Sequence, residues 1–154
     1  MQVVIGGVVF TAVALVAASW MGTLRPELKF AGGSFERGEM IAFALSVCSK
    51  GVLPMSTDDG KPRWRITDGS GEVVADSSHQ VFTMELKTLA WSPRQCRQVL
   101  SVDWDQREWN QLPILPGETL GIPRKGDPVL PGRYDLRVGW GALQDELASF
   151  EIVE

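Results

Sequence analysis

The chain has few of the residues that build metal or redox sites. Its 154 residues include one histidine and two cysteines, which excludes a histidine-rich metal site and a four-cysteine zinc site. It also lacks an excess of basic residues, because 15 Lys and Arg stand against 19 Asp and Glu, for a net charge of −4. Nucleic-acid-binding domains normally carry a basic surface. We therefore predict no metal, no cofactor and no nucleic-acid partner.

Catalytic motifs are missing as well. His79 is the sole imidazole, and a single histidine in a polar turn is usually a surface residue. The acidic segments Asp58-Asp59-Gly60 and Asp103-Trp104-Asp105 lack the later ligands and the closing glutamate of a calcium-binding loop, and they are better explained as turns. No phosphate-cradling glycine loop is present. The sequence thus predicts a non-catalytic protein with no evident small-molecule substrate.

Charge is absent from the first part of the chain. Residues 3–24 contain no Asp, Glu, Lys or Arg. A helix of these 22 residues would rise about 33 Å, which is enough to cross a hydrocarbon core of about 30 Å. Trp20 lies near the end of the run, where its amphipathic ring would suit the membrane interface and contact neighbouring helices. We predict a single transmembrane helix over residues 1–25 and a linker over residues 26–35.

Two other interpretations of this apolar run remain open. Ala17-Ala18-Ser19 supplies the small residues of a signal-peptide cleavage site, although no basic residue precedes the run. A buried helix of a soluble domain is the other possibility, but such helices seldom extend this far without a charge. The anchor remains our working hypothesis because of the length of the run.

The remainder of the chain indicates an all-β domain. After Pro26, short runs of alternating apolar and polar residues are separated by turn signals, a pattern typical of a β-sandwich. In the segment 40–48, for example, every second side chain from Ile41 to Val47 is apolar. About seven strands are predicted: Met40–Cys48, Arg63–Thr67, Glu72–Ala75, Gln80–Leu86, Cys96–Trp104, Arg133–Trp140 and a last strand containing Phe150 and Ile152.

The two cysteines lie at the ends of predicted strands. Cys48 ends one strand and Cys96 begins another, so a bond between them could bridge the two sheets of a sandwich. Two buried free thiols are the alternative, since cysteine behaves as a small hydrophobe. Disulfides persist in oxidising compartments. We predict the bond, and with it a domain outside the cytoplasm, although Arg25 and Lys29 beside the apolar run would by themselves favour a cytoplasmic domain.

Two tryptophans and a proline-rich stretch indicate a partner surface. Residues 112–131 hold five of the nine prolines, including Pro113 and Pro116. Because proline cannot donate to a β-ladder, this stretch is a loop or an edge, which either has a function or is a rigid connection. Trp91 and Trp109 fall in turn-like segments, where they would either form a binding hot spot or pack locally on the core. We predict that these four residues contact a partner.

Three segments resemble the intracellular proteinase inhibitor (BsuPI-type) domain family. They are Trp64–Val74, Val102–Asp105 and Pro128–Val138. The last one contains a Pro-Gly turn followed by a predicted strand with Tyr134 near its start. Related extracytoplasmic bacterial domains carry a cysteine after the second strand, which is the place of Cys48.

The resemblance covers roughly residues 36–153 and implies an immunoglobulin-like β-sandwich, which we place at residues 36–154. It also implies an alternative function, in which a rigid loop inhibits a protease. Our main hypothesis is a single-pass protein of a bacterial inner membrane with its sandwich on the periplasmic side. Its partners would be the lipid bilayer and other proteins, and its role would be that of an accessory subunit that stabilises a larger membrane complex.

Overall fold

The computed structural model of the protein describes residues 23–58, 60–77, 88–110 and 124–154. Within these ranges the regular structure consists of strands, as the sequence predicts. The strands are β1 Leu24–Phe30, β2 Gly33–Glu36, β3 Ile41–Ser49, β4 Met55–Asp58, β5 Pro62–Asp68, β6 Val73–Asp76, β7 Thr88–Trp91, β8 Cys96–Trp104, β9 Arg107–Asn110, β10 Arg124–Pro128, β11 Gly132–Trp140 and β12 Glu146–Val153. The prediction of about seven strands was therefore too low.

The strands form two main sheets that pack face to face. One sheet has the order β1-β3-β8, the other has the order β2-β12-β11-β5-β6, and β4 with β7 and β9 with β10 form two-stranded ribbons. Immunoglobulin domains place their second and fifth strands in one sheet and their third, sixth and seventh strands in the other. Here β3 and β8 take the places of the first two, and β5, β11 and β12 take the places of the other three. The structure is an immunoglobulin-like β-sandwich, which confirms that prediction.

Alternating side chains of both sheets build the core. The inward positions of β3 from Ile41 to Val47 and of β11 from Tyr134 to Val138 are almost fully buried. Aromatic rings join the two sheets, since Phe43 on β3 meets Trp64 on β5 edge-on with 5.5 Å between the ring centroids. Such pairs add about 0.5–1.5 kcal/mol beyond the burial of apolar area.

The predicted linker over residues 26–35 is wrong, because most of it belongs to the sandwich. β1 pairs with β3 along its whole length, from Leu24 opposite Ser49 to Phe30 opposite Phe43. Its side chains alternate between half-buried and exposed, and the charged residues all lie on the exposed side. Burial of the apolar side on the core stabilises this segment as a strand.

The predicted transmembrane helix lies outside the described residues up to residue 22, as do Trp20 and the predicted strand Gln80–Leu86. Its predicted end at residue 25 is wrong, because Leu24 and Arg25 begin β1. In the part of the chain that the structure describes, none of the elements is a helix with the length and apolar character needed to cross a membrane.

Tyr134 fixes the turn that leads into β11. Its ring is buried, and its hydroxyl donates a hydrogen bond to the backbone oxygen of Leu130. Immunoglobulin-like sandwiches use this tyrosine corner to hold the chain where it enters a central strand. Burial raises the pKa of the Tyr134 hydroxyl, and the nearby charges of Asp68 and Glu108 raise it further.

The carboxylate of Asp68 organises the tight turn between β5 and β6. Its Oδ1 accepts hydrogen bonds from the Ser70 hydroxyl at 2.7 Å, from the Ser70 amide at 2.9 Å and from the Glu72 amide at 2.9 Å. The Ser70 hydroxyl and the backbone amides favour the charged form and lower the pKa of Asp68 below its usual 3.8. The turn is therefore built around an ionised carboxylate.

Replacement of Asp68 by alanine is expected to lower the melting temperature at neutral pH. Because the pKa of Asp68 is lowered in the folded state, its contribution to stability is complete above the unfolded-state pKa and is lost as the pH falls through the folded-state pKa. Thermal unfolding of wild type and Asp68→Ala between about pH 7 and pH 2.5 should therefore show two melting temperatures that converge in acid. The exposed Asp103 on β8 offers a control, Asp103→Ala; a difference for Asp68→Ala that does not depend on pH would contradict the proposed role of the charge.

Candidate binding surface

The outer side of the five-stranded sheet carries four arginines. Because neighbouring side chains of a strand point to opposite sides, the positions between the core residues of β5 and β11 all face outward. These positions place Arg63 and Arg65 on β5 beside Arg133 and Arg137 on β11. We call the surface formed by these four residues the arginine face.

Arg63 is held in place by the turn between β11 and β12. Its guanidinium donates hydrogen bonds to the Asp145 carboxylate and to the backbone oxygens of Gly141 and Leu143. Gly139 lies opposite Arg63 in the sheet, and a Cβ at Gly139 would collide with the Asp145 carboxylate. The charge of Arg63 is thus paired, and its role is to close this end of the sheet.

Arg65 and Arg137 lie directly opposite each other on adjacent antiparallel strands. Side chains so placed have Cβ atoms about 5 Å apart, and two like charges at this spacing repel. Neither guanidinium forms a salt bridge with another residue of the described ranges. The pair is exposed and places two like charges at the centre of the arginine face, with Asp76 on β6 as the register partner of Arg65.

Two shallow depressions meet at this pair. One has a volume of about 330 Å³ and extends from Arg65 and Arg137 to Ser77 and Asp145. The other has a volume of about 450 Å³ and extends from the same two arginines towards Ser149. Guanidinium and hydroxyl groups line both depressions, together with the carboxylates of Asp76 and Asp145 in the first and of Asp135 in the second.

An exposed leucine adds an apolar contact to this polar surface. Leu147 on β12 is the register partner of Arg137, it lines the larger depression, and 67% of its surface is exposed. Next to it, Asp135 accepts a hydrogen bond of 2.6 Å from the Ser149 hydroxyl, which fixes the position of this carboxylate. The arrangement suits a ligand that brings carboxylates to the arginines and an apolar group to Leu147.

The structure buries one of the predicted contact residues. Trp91 ends β7 and has no exposed surface. Its indole N–H donates a 3.0 Å hydrogen bond to the backbone oxygen of Val47, and its ring packs edge-on against Trp140 at 5.7 Å. The prediction that Trp91 contacts a partner is wrong; the alternative of core packing is right, because the short strand β7 places the indole over the end of the sandwich.

Trp109 also packs inward, although less completely. It lies on β9, where it is half-buried, and its ring meets Trp64 edge-on at 5.2 Å. This contact anchors the β9–β10 ribbon to the core. A contact of Trp109 with a partner stays a prediction, as it does for Trp20, Pro113 and Pro116, which lie outside the described residues.

Cys48 and Cys96 form a disulfide, which confirms the predicted bond. The expected bridge between the two sheets is wrong, however, because the two cysteines face each other on β3 and β8, neighbouring strands of the same sheet. The Glu27 carboxylate lies within 4.8 Å of both sulfur atoms. Cysteine binds a metal as a thiolate, and both sulfur atoms are in the disulfide, so this group offers a metal only the carboxylate.

Comparisons with known proteins give a likeness of fold. No family model matches the chain, and no curated protein matches it. A β-glucosidase from Listeria innocua in complex with glucose has a TM-score of 0.50 at 10% identity, over 87% of this chain and 16% of that one. The CARDB domain of the PF1109 protein from Pyrococcus furiosus, in complex with di-metal ions, has a TM-score of 0.45 at 10% identity, over 86% of this chain and 89% of that one.

The chain thus spans about a sixth of the length of the β-glucosidase, 16% by coverage. At 10% identity the likeness extends to the arrangement of strands and carries no information about residues or activity. The chain is therefore similar in fold to a part of this glycosidase, and its own binding surface has to be argued from its own side chains.

Proposed function

We propose that the protein is a non-catalytic, membrane-anchored interaction subunit of a bacterial membrane complex, and that it binds an acidic surface of a partner protein through the arginine face. The observation that carries this proposal is the exposed pair Arg65 and Arg137, which meets at two depressions and lacks a salt bridge within the described ranges. The uncharged run over residues 3–24 supports the anchor, since it has the length of a membrane span.

The chemistry of the pair favours carboxylates. A guanidinium offers five N–H donors in a planar fork, and two of them match the two oxygens of one carboxylate. A partner carboxylate would also supply the opposite charge that Arg65 and Arg137 need, so binding would replace repulsion by attraction. Leu147 would add apolar burial beside these charged contacts.

The disulfide supports a location outside the cytoplasm. Structural disulfides persist in the bacterial periplasm and are rare in the reducing cytoplasm. With an anchor in the apolar run that precedes β1, the sandwich would then lie at the periplasmic side of the inner membrane. This arrangement would bring the arginine face to the extracytoplasmic parts of neighbouring membrane proteins.

Substitution of the arginine pair tests the proposal. The double variant Arg65→Gln with Arg137→Gln is expected to weaken the complex by about 30-fold or more, because loss of one charged contact to a partner costs ~2 kcal/mol or more. Mild detergent extraction of native membranes followed by size-exclusion chromatography would measure it: wild type should co-migrate with a larger assembly at fixed stoichiometry, and the variant should elute alone.

Arg37→Gln is the matched control, since Arg37 is an exposed arginine whose ion pair with Glu154 is 3.9 Å long and open to solvent. This control should keep the assembly intact, because surface ion pairs contribute little. Equal behaviour of both variants would overturn the role of the arginine face. A wild-type protein that elutes as a monomer and blocks a protease would instead support the alternative of a proteinase inhibitor.

A further inference from the structure

The chain enters the sandwich beside an exposed apolar turn. The backbone oxygen of Thr23, the first described residue, accepts a 3.0 Å hydrogen bond from the amide of Lys50. Lys50 begins the turn between β3 and β4, and this turn carries Val52 and Leu53 with 53% and 46% of their surfaces exposed. Thr23 and Leu24, the last residues of the apolar run, therefore lie at the same end of the domain as this turn.

Basic residues surround this end of the sandwich. Arg25 on β1 is the register partner of Cys48, and the Ser49 amide donates to the backbone oxygen of Gln95, so Arg94 in the preceding turn is also close. Arg25 and Arg94 are exposed.

Lys61 is a third basic residue at this end of the sandwich. Its backbone oxygen accepts a hydrogen bond from the amide of Gly141. Gly141 follows Trp140, whose ring packs on Trp91, and the Lys61 side chain is exposed.

Two acidic groups of the same end, among those the structure describes, form ion pairs. Glu27 forms an ion pair with Lys50, and Asp145 forms one with Arg63. The three cations Arg25, Lys61 and Arg94 form no salt bridge within the described ranges. The end of the sandwich near Thr23 is therefore positively charged around an apolar tip.

We infer that the turn of residues 50–54 docks on the surface of the anionic bilayer, with Val52 and Leu53 inserted among the lipid headgroups and Arg25, Lys61 and Arg94 against their phosphates. This inference rests on the proposed membrane anchor, because a span in the apolar run before β1 would place Thr23 close to the bilayer interface and the neighbouring turn with it. Burial of apolar side chains together with attraction to anionic lipid is the usual basis of interfacial binding.

Docking at this end would also orient the partner surface. The strands run away from the turn, so the sheet that carries the arginine face would stand upright on the bilayer. Arg65 and Arg137 would then point sideways, towards neighbouring membrane proteins. A single attachment at residue 23 would leave the domain free to rotate on the membrane. A second contact, through the turn of residues 50–54, would fix its orientation.

A spin label at Leu53 tests the docking in the full-length chain. The two native cysteines are bonded to each other, so a cysteine added by Leu53→Cys can be labelled alone under non-reducing conditions. Leu130→Cys is the matched control, because Leu130 is 73% exposed and precedes Gly132, which starts β11 at the opposite end of the domain from Trp140. Both proteins are reconstituted in vesicles of phosphatidylcholine with about one third phosphatidylglycerol.

The readout is the ratio of two collision rates of the spin label. The first is with oxygen, which partitions into lipid, and the second is with a water-soluble nickel complex. We expect this ratio to be at least about threefold higher for the label at Leu53 than for the label at Leu130, and to fall when phosphatidylglycerol is left out. Equal ratios at the two sites would overturn the inference.

Flotation of the full-length protein with vesicles after an alkaline wash tests the anchor separately. If the chain floats while the label at Leu53 stays in water, the docking is refuted and the anchor stands. If the chain does not float, both the anchor and the docking that rests on it are refuted.

Discussion

Removal of the disulfide between Cys48 and Cys96 is expected to lower the free energy of unfolding by about 4 kcal/mol. The bond closes a loop with a sequence separation of 48 residues, and a crosslink of that span restricts the unfolded chain by this amount in the chain-entropy model. Small domains have a total stability of about 5–15 kcal/mol. The loss would therefore be a large fraction of the total, and it is measured by urea unfolding of wild type and of the double variant Cys48→Ala with Cys96→Ala.

A thiol reductant supplies the control for this experiment. It should destabilise wild type by a similar amount and leave the double variant unchanged. Cys48 is almost fully buried while Cys96 is exposed, so the reductant has access to the sulfur of Cys96. Equal stability of the oxidised and reduced wild type would contradict the prediction. Two titratable thiols in native membranes without reductant would argue against a periplasmic location.

The longer strands could be predicted from the sequence to within a residue or two. β5, β8 and the first parts of β3 and β11 bury one side and expose the other, so their sequences alternate with a period of two. The predicted segment Met40–Cys48, for example, is the strand Ile41–Ser49. Here the local pattern and the tertiary structure agree, since burial of one face is itself the cause of the alternation.

β1 shows why other parts of the fold were missed. Proline is rare in strands, and Pro26 with the alternating charges around it resembles a polar linker. The segment is nevertheless an edge strand, where proline is tolerated because one side of the backbone has no neighbour. The four-residue strands β2, β4, β7 and β9 are too short for a period to show, and they depend on their partners.

The arginine face could not be derived from local sequence. The segments around Arg65 and Arg137 each predict outward-facing arginines, but only the register between β5 and β11 makes the two residues neighbours. That register joins positions far apart in the sequence, so no local pattern reports it. Trp91 illustrates the converse, since Ser92 and Pro93 after it indicate an exposed turn, whereas pairing of β7 with β4 places the indole in the core.

A buried glutamine joins three turns at the end of the sandwich opposite Thr23. The Gln106 side chain is 2% exposed, its amide nitrogen donates a 2.8 Å hydrogen bond to the backbone oxygen of Glu36, and its side-chain oxygen accepts one of 2.8 Å from the amide of Gly38. Its own backbone oxygen accepts a further hydrogen bond of 2.8 Å from Val129. One residue therefore satisfies backbone groups of the turn after β2 and of the segment before β11.

Replacement of Gln106 by leucine is expected to lower the free energy of unfolding by about 2 kcal/mol, because two part-buried hydrogen bonds are lost, each worth about 0.5–1.5 kcal/mol. Gln106 has a left-handed backbone with a φ of 56°, a conformation that is unfavourable for glutamine and leucine alike. This backbone cost largely cancels in the comparison. Urea unfolding with an unchanged dependence on denaturant would measure the loss of the two hydrogen bonds.

Gln98→Leu provides the same chemical change at an exposed position of β8, where water satisfies the side chain in both folded and unfolded states. It should change stability by less than about 0.5 kcal/mol. Gln106→Glu separates the two hydrogen bonds further, since an ionised carboxylate can still accept from Gly38 but cannot donate to the oxygen of Glu36. The stability of Gln106→Glu should therefore rise as the pH is lowered, because the protonated carboxyl can donate a hydrogen bond. Equal losses of stability for Gln98→Leu and Gln106→Leu would contradict the role of Gln106 in joining these turns.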